Sequence, residues 1–181
     1  MLKNILLGYL NYRPMTGYEL KQALDTSTSF FWHAHHSQIY TTLRQMEKDG
    51  LVTSTQKAED DALRRRVYDI TDEGRNDLRQ WLETPMSEVS HVKEEFLVRI
   101  FFSGQRDPQK VLAELHEQHK LHTQALDNYQ NLRECMPAHE HSTLKGTRDH
   151  IFWNLTLEMG FLYEKMYLEW LEMAIKSVEQ T

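Results

Sequence analysis

One short stretch carries a set of side chains able to read DNA. In "SQIYTTLRQMEKDGLV", from Ser37 to Val52, Ile39, Leu43 and Met46 recur at spacings of four and three, which makes them the inner stripe of a helix. That leaves Gln38, Thr41, Thr42, Arg44, Gln45 and Lys48 facing out. Gln and Arg can address base edges in the major groove, whereas Lys and hydroxyl groups suit phosphates. A second basic group follows in Lys57, Arg64, Arg65 and Arg66. The competing reading is a plain solvated helix. Helix-turn-helix domains also serve as protein-interaction modules, and Glu47, Asp49 and the acidic "EDD" dilute the positive field.

Other chemistry is thinner. His116, His119 and His122 recur every third residue and histidines so spaced can share a metal, but no cysteine or carboxylate pattern accompanies them, so no metal site is expected. His33, His35 and His36 in "WHAHH" stay unassigned. Cys135 is the lone cysteine, no glycine-rich phosphate loop occurs, and no paired carboxylates stand out. Neither an enzyme nor a cofactor is expected.

The outward face needs a scaffold, and the chain supplies one. "MLKNILLGYLNYRP" reads as a short helix ended by Pro14, and "TGYELKQALD" as a second whose Thr16 and Glu19 stand in a capping-box relation. "TSTSFFWHAHH" is irregular, with Phe30, Phe31 and Trp32 expected to pack under the next element, the helix from its N-cap Ser37 to Gly50. The period then changes to two. "LVTSTQK" and "RRVYDI" form a hairpin with "AEDDAL" at its tip, and Thr71 caps a fourth helix. Three helices and a hairpin make a winged helix-turn-helix, followed at "TPMSEVSH" by a domain boundary.

The second half reads as helices. "VKEEFLVRIFF" is a short one, and Asp107 with Pro108 launches a long one to about Met136 whose heptad-like seam includes Val111, Leu115, His122 and Tyr129. A last helix, from about Thr147 to Glu179, carries two apolar stripes. One holds Ile151, Leu155, Met159, Leu162 and Met166, the other Tyr163, Tyr167, Leu171, Ala174 and Val178. A surface helix needs only one such stripe, so a second copy of the chain is the economical partner for the other.

Composition bounds the rest. With 181 residues, 40% hydrophobic and 27% charged, and only seven Gly and four Pro, the chain can bury a core and leans to helix. A single cysteine fits a reducing cytoplasm. "ILLGYL" is too short for a signal segment, and nothing approaches the roughly 20 apolar residues of a membrane span. Residues 1–80 hold 11 Lys+Arg against 11 Asp+Glu, so the net charge of −6 lies in the second half and does not argue against an anionic partner for the first.

The runs "LLGYL…MTGYEL", "SQIYTTLRQMEKDGLV" and "RRRVYDITDEGR", in this order and spacing, resemble the PadR family of transcriptional regulators. They are closest to its longer subgroup with a virulence-activator-like helical C-terminal domain. The likeness is carried by Tyr18, Tyr40, Leu43, Leu51, Tyr68, Thr71 and Gly74 within residues 2–82, and beyond them by helices and "EWLE" around Trp170. It implies a DNA-binding dimer, often a repressor, with the recognition helix in the major groove, the wing along the backbone, and Tyr18 and Tyr40 on the DNA-facing side. Carried onto this chain, it assigns Gln38 and Thr41 to base edges, Arg44 to base or phosphate, and Lys21, Arg64 and Arg66 to phosphates, with Lys48 completing the contact face. The acidic wing tip departs from this pattern and would repel phosphate, leaving contact to the basic stem. Some PadR-like repressors bind phenolic or drug-like compounds, and Trp153, Phe161, Tyr163, Tyr167 and Trp170 could line a cavity for such an effector; core packing is the rival use of those aromatics.

The resulting expectation is a mainly α protein with a small β-hairpin. It comprises a winged helix-turn-helix DNA-binding domain over 1–82, a linker over 83–92 and a helical dimerisation domain over 93–181. Its expected function is that of a cytoplasmic, homodimeric, sequence-specific transcriptional regulator on double-stranded DNA, with a small-molecule effector and no membrane partner. The alternative is a winged-helix protein-interaction module.

Overall fold

The computed structural model describes residues 1–28, 31–57, 65–89, 93–135 and 148–180. They form a mainly helical protein with one small antiparallel sheet, divided into two compact units, Met1–Ser90 and His91–Thr181.

In the first unit the order is α1 (Leu2–Leu10), β1 (Met15–Thr16), α2 (Gly17–Ala23), a π-helical turn (Leu24–Thr28), α3 (His36–Lys48), β2 (Val52–Lys57), β3 (Arg65–Ile70) and α4 (Asp72–Glu83). Helix α2 starts where Thr16 Oγ1 accepts from the Glu19 N–H at 3.1 Å and the Glu19 carboxylate accepts in return from the Thr16 N–H at 2.7 Å. Helix α3 ends at Gly50, whose φ of 72° is cheap only without a Cβ, and the Leu51 N–H closes back onto the Met46 carbonyl. Leu6, Leu7, Leu10, Leu20, Leu24, Ile39, Leu43 and Met46 converge in one core, each leucine stabilising the unit by roughly 1.5–3 kcal/mol.

Two local expectations are corrected. Helix α3 begins at His36 with His35 as N-cap, so Ser37 is its second residue rather than its cap; the reason is that Gln38 Oε1 takes up the His35 N–H at 2.8 Å. Phe31 is exposed rather than packed under α3, while Trp32 is partly buried against the core and Phe30 lies outside the described residues. The sheet also gains a strand. β1 pairs with β3, Met15 opposite Tyr68 and Thr16 opposite Val67, giving the order β1-β3-β2. The wing tip at residues 58–64 lies outside the described residues.

The second unit contains α5 (Glu95–Phe101), a 3₁₀ turn (Ser103–Gln105), α6 (Pro108–Cys135) and α7 (Arg148–Glu179). Helices α6 and α7 pack antiparallel, for His119 lies against Glu172 and His122 against Glu164 as the two chains of numbers run in opposite directions. The core joins Phe96 of α5, Val111 and Leu115 of α6, and Tyr167 and Leu171 of α7. Of the two stripes on α7, the one with Tyr163, Tyr167, Leu171, Ala174 and Val178 belongs to that core. The other is solvent-facing, with Ile151, Leu155, Met159, Leu162 and Met166 each between 53% and 64% exposed.

Candidate nucleic-acid interface

Burying Ile39, Leu43 and Met46 fixes the rotation of α3, and with it the outward set. Gln38, Thr41, Arg44, Gln45 and Lys48 are all exposed. Tyr40 lies at the flank: its ring rests on Gly17, where a Cβ would come within 2.5 Å of Tyr40 Cε1, so the glycine is the condition for α2 and α3 to meet this closely. Beside it Tyr18, 65% exposed, projects from the start of α2. The structure thus brings Tyr18, Gln38, Tyr40, Thr41, Arg44 and Lys48 onto neighbouring surfaces of α2 and α3.

Two of the expected phosphate cations are less free. Lys21 is mostly buried along its stem and pairs with Asp25 one turn on. Arg66 projects from β3 to Glu47 Oε2 at 3.4 Å, and Glu47 Oε1 also accepts from Ser54 Oγ at 2.5 Å. Glu47, counted in the sequence only as a diluting charge, therefore ties α3 to both strands of the hairpin. Arg64 lies outside the described residues. Besides Glu47, three side chains on α3 are engaged by hydrogen bonds: Gln38 caps His35, Thr42 Oγ1 donates to the Gln38 carbonyl at 2.7 Å, and Gln45 Nε2 donates to Asp49 Oδ1 at 2.8 Å. Among the described residues no side-chain hydrogen bond engages Arg44 or Lys48, both exposed on this face.

The capping box under this surface is pH-sensitive. The Thr16 backbone N–H, assisted by Arg13 and the Thr16 hydroxyl, lowers the Glu19 carboxyl from 4.5 to about 2. A depressed carboxyl contributes stability above its unfolded value, and that contribution is lost as pH falls through about 2. Glu19 is partly exposed, so the effect stays near the scale of a cap, at most about 1 kcal/mol. Glu19→Gln is expected to lower the urea midpoint at pH 7 and to shrink the loss of stability between pH 5 and pH 2.5. A variant with the same acid slope as the parent would place the sensitivity elsewhere.

The aromatic residues expected to take an effector sit in the second unit. Tyr163 and Tyr167 centroids are 5.8 Å apart, Tyr167 meets Trp170 edge-on at 5.3 Å, and Phe96 meets Trp170 edge-on at 6.1 Å. Trp153 stands ten residues earlier on α7, about 15 Å along the axis, so it belongs to a different level of the helix. Sequence reading missed the polar centre of this cluster. His122 stacks on Tyr167 at 3.9 Å with 14° between planes, and its Nδ1 lies 2.5 Å from Oε2 of the buried Glu164. Burial, reinforced by the charges of Glu94 and Glu164, pushes Tyr167 up to about 12; burial and Glu164 do the same for Tyr129. The Tyr167 hydroxyl is buried with no hydrogen-bond partner among the described residues.

Comparison with known proteins bears on both units. Residues 6–80 match the family model described as the Transcriptional regulator PadR-like family, and residues 92–179 match Virulence activator alpha C-term. The negative transcriptional regulator PadR of Bacillus subtilis (strain 168) is 26% identical over 180 residues, 99% of this chain and 98% of that one. The crystal structure of Bacillus subtilis PadR in complex with operator DNA superposes with a TM-score of 0.84 at 25% identity, covering 98% of each chain. The same protein in complex with p-coumaric acid gives 0.76 at 25% identity, again over 98% of each.

Proposed function

The chain belongs to the PadR-like family of transcriptional regulators, with a virulence-activator-like C-terminal unit, and from that premise we propose that it is a homodimeric, sequence-specific DNA-binding repressor modulated by a small aromatic effector. The observation that carries this reading is the outward face of α3, where Gln38, Thr41, Arg44 and Lys48 are exposed together above a fully buried Ile39 and Leu43. Its roles follow from chemistry: Gln38 and Thr41 at base edges, Arg44 at base or phosphate, and Lys48, Lys21, Arg66 and Arg64 at phosphates, with Tyr18 and Tyr40 flanking. Among the described residues no helix is long and apolar enough to cross a membrane, and the protein acts in the cytoplasm. Its work is binding, not catalysis.

The second copy covers the exposed stripe of α7, and the pair presents two α3 helices to half-sites about one helical turn of DNA apart. The Bacillus subtilis relative has been crystallised with p-coumaric acid. In this chain the aromatic group of Tyr163, Tyr167 and Trp170 suits a planar phenolic ring, and the Tyr167 hydroxyl, buried with no hydrogen-bond partner among the described residues, is a donor for a carboxylate or phenol oxygen. An effector changes DNA affinity only by binding one arrangement of the dimer better than another.

The test is fluorescence anisotropy against the DNA upstream of the protein's own gene, at two salt concentrations. Affinity should fall with a log-log slope of roughly 0.9 per phosphate neutralised. Arg44→Ala should weaken binding about 5- to 150-fold, the range for one base-reading arginine. Indifference to sequence there and in a random pool would return the α3 face to the role of a protein-interaction surface.

A further inference from the structure

The hydrogen bond that starts α3 also sets what Gln38 can read. Gln38 Oε1 accepts from the His35 N–H at 2.8 Å. A backbone N–H can only donate, so the amide atom facing it is the oxygen and not the nitrogen. The bond has a structural cause: the first turn of a helix leaves N–H groups without partners, and Gln38, three residues after the N-cap, is placed to reach back to one. Its consequence is chemical. A glutamine that reads adenine in the usual way lays both arms on the base, oxygen on N6–H and nitrogen on N7. With the oxygen turned back onto its own chain, that fork is spoiled, and the outward group is Nε2 with its two hydrogens, for which no partner is recorded among the described residues.

We propose that Gln38 reads DNA as a donor only and selects guanine at the base it faces. Guanine offers two adjacent acceptors, O6 and N7, to the two hydrogens of Nε2. Adenine sets an N6 donor beside its N7 acceptor, thymine offers O4 alone beside its methyl group, and cytosine presents only a donor there, so guanine alone engages both hydrogens. The inference rests on the DNA-binding reading above and adds to it the identity of one base.

The substitution that tests it is Gln38→Glu, because a carboxylate keeps the acceptor that caps His35 and is at home in a helix's first turn, yet turns the outward atom from donor to acceptor. The experiment is selection from a random DNA pool with the full-length parent and variant under the same buffer, with melting curves to show that both are folded. The parent should enrich a site with guanine at one position of each half-site, and the variant should change that position alone, to cytosine or adenine, by at least about fivefold. The added charge weakens binding overall, so Gln38→Ala is run beside it; it should lose the guanine preference at that position and keep the rest. The proposal is overturned if both variants enrich the parental base at every position, or if the position they alter is any base pair but guanine–cytosine in the parental site. If the parent itself enriches no sequence, the DNA-binding reading fails first and takes this inference with it.

Discussion

Leu155→Glu combined with Leu162→Glu is expected to leave the protein monomeric and to weaken operator binding by roughly 100-fold or more. The two leucines lie on the solvent-facing stripe of α7, 60% and 59% exposed, whereas the opposite stripe holds Tyr167 and Leu171 in the core. Charges at these positions therefore enter water in the single chain and leave its fold intact. In a dimer they would be buried against each other without partners, a large penalty of the kind that excludes association. Operator affinity falls with the dimer because the second half-site contact becomes intermolecular, and tethering two contacts is commonly worth a factor of about 10²–10⁴. Sedimentation equilibrium and anisotropy, with circular dichroism to show unchanged helix, measure all three quantities. A double variant that stays dimeric would mean that the stripe is covered by something else.

The second large effect lies at the buried His122–Glu164 pair. His122→Ala leaves Glu164, only 8% exposed, without its 2.5 Å partner and removes the ring stacked on Tyr167. Breaking such a pair from one side is expected to destabilise the helical unit by roughly 3–5 kcal/mol. Replacing both, as His122→Leu with Glu164→Leu, exchanges the pair for apolar packing between α6 and α7 and is expected to be near neutral or stabilising. The contrast is measured by urea unfolding of His122→Ala and the double variant, with His122→Leu and Glu164→Leu alone closing a double-mutant cycle; each His122 single variant should be much worse than the double. A loss below about 1 kcal/mol for His122→Ala would show that the carboxylate finds water or another donor.

What could be read from the sequence was what is local. The Thr16–Glu19 box spans three residues and needs nothing beyond them, and the inner stripe of α3 follows from helical periodicity alone. Periodicity also revealed both stripes of α7, but not which one faces inward, because that is decided by Phe96, Val111 and Leu115 from other helices. Strand β1 escaped notice since two residues carry no period; only pairing with Val67 and Tyr68 makes them a strand. The clamp from Glu47 to Ser54 and Arg66, and the His122–Glu164 contact across 42 positions, were likewise beyond any local rule. At the α3 start the usual preference for Ser as N-cap misled by two residues, because a glutamine side chain can bond the N–H of a cap of another type.

The pairing of β1 with β3 also sets a clock for biosynthesis. Met15 and Thr16 find Tyr68 and Val67 only after about fifty more residues have been made, which at 5–20 residues per second takes about 3–10 s. Through that interval Leu6, Leu7, Leu10 and Leu20 lack the strand residues Tyr68 and Ile70, and for most of it Val52, that later share their core. The nascent chain thus presents a leucine-rich, half-built surface for seconds, the period in which chaperone capture or aggregation competes with folding. Once α4 emerges, every described element of the first unit has been made, whereas α7, with the exposed apolar stripe proposed above to pair two copies, follows about 65 residues later in the chain. A DNA-reading head is therefore finished well before the chain can find its twin.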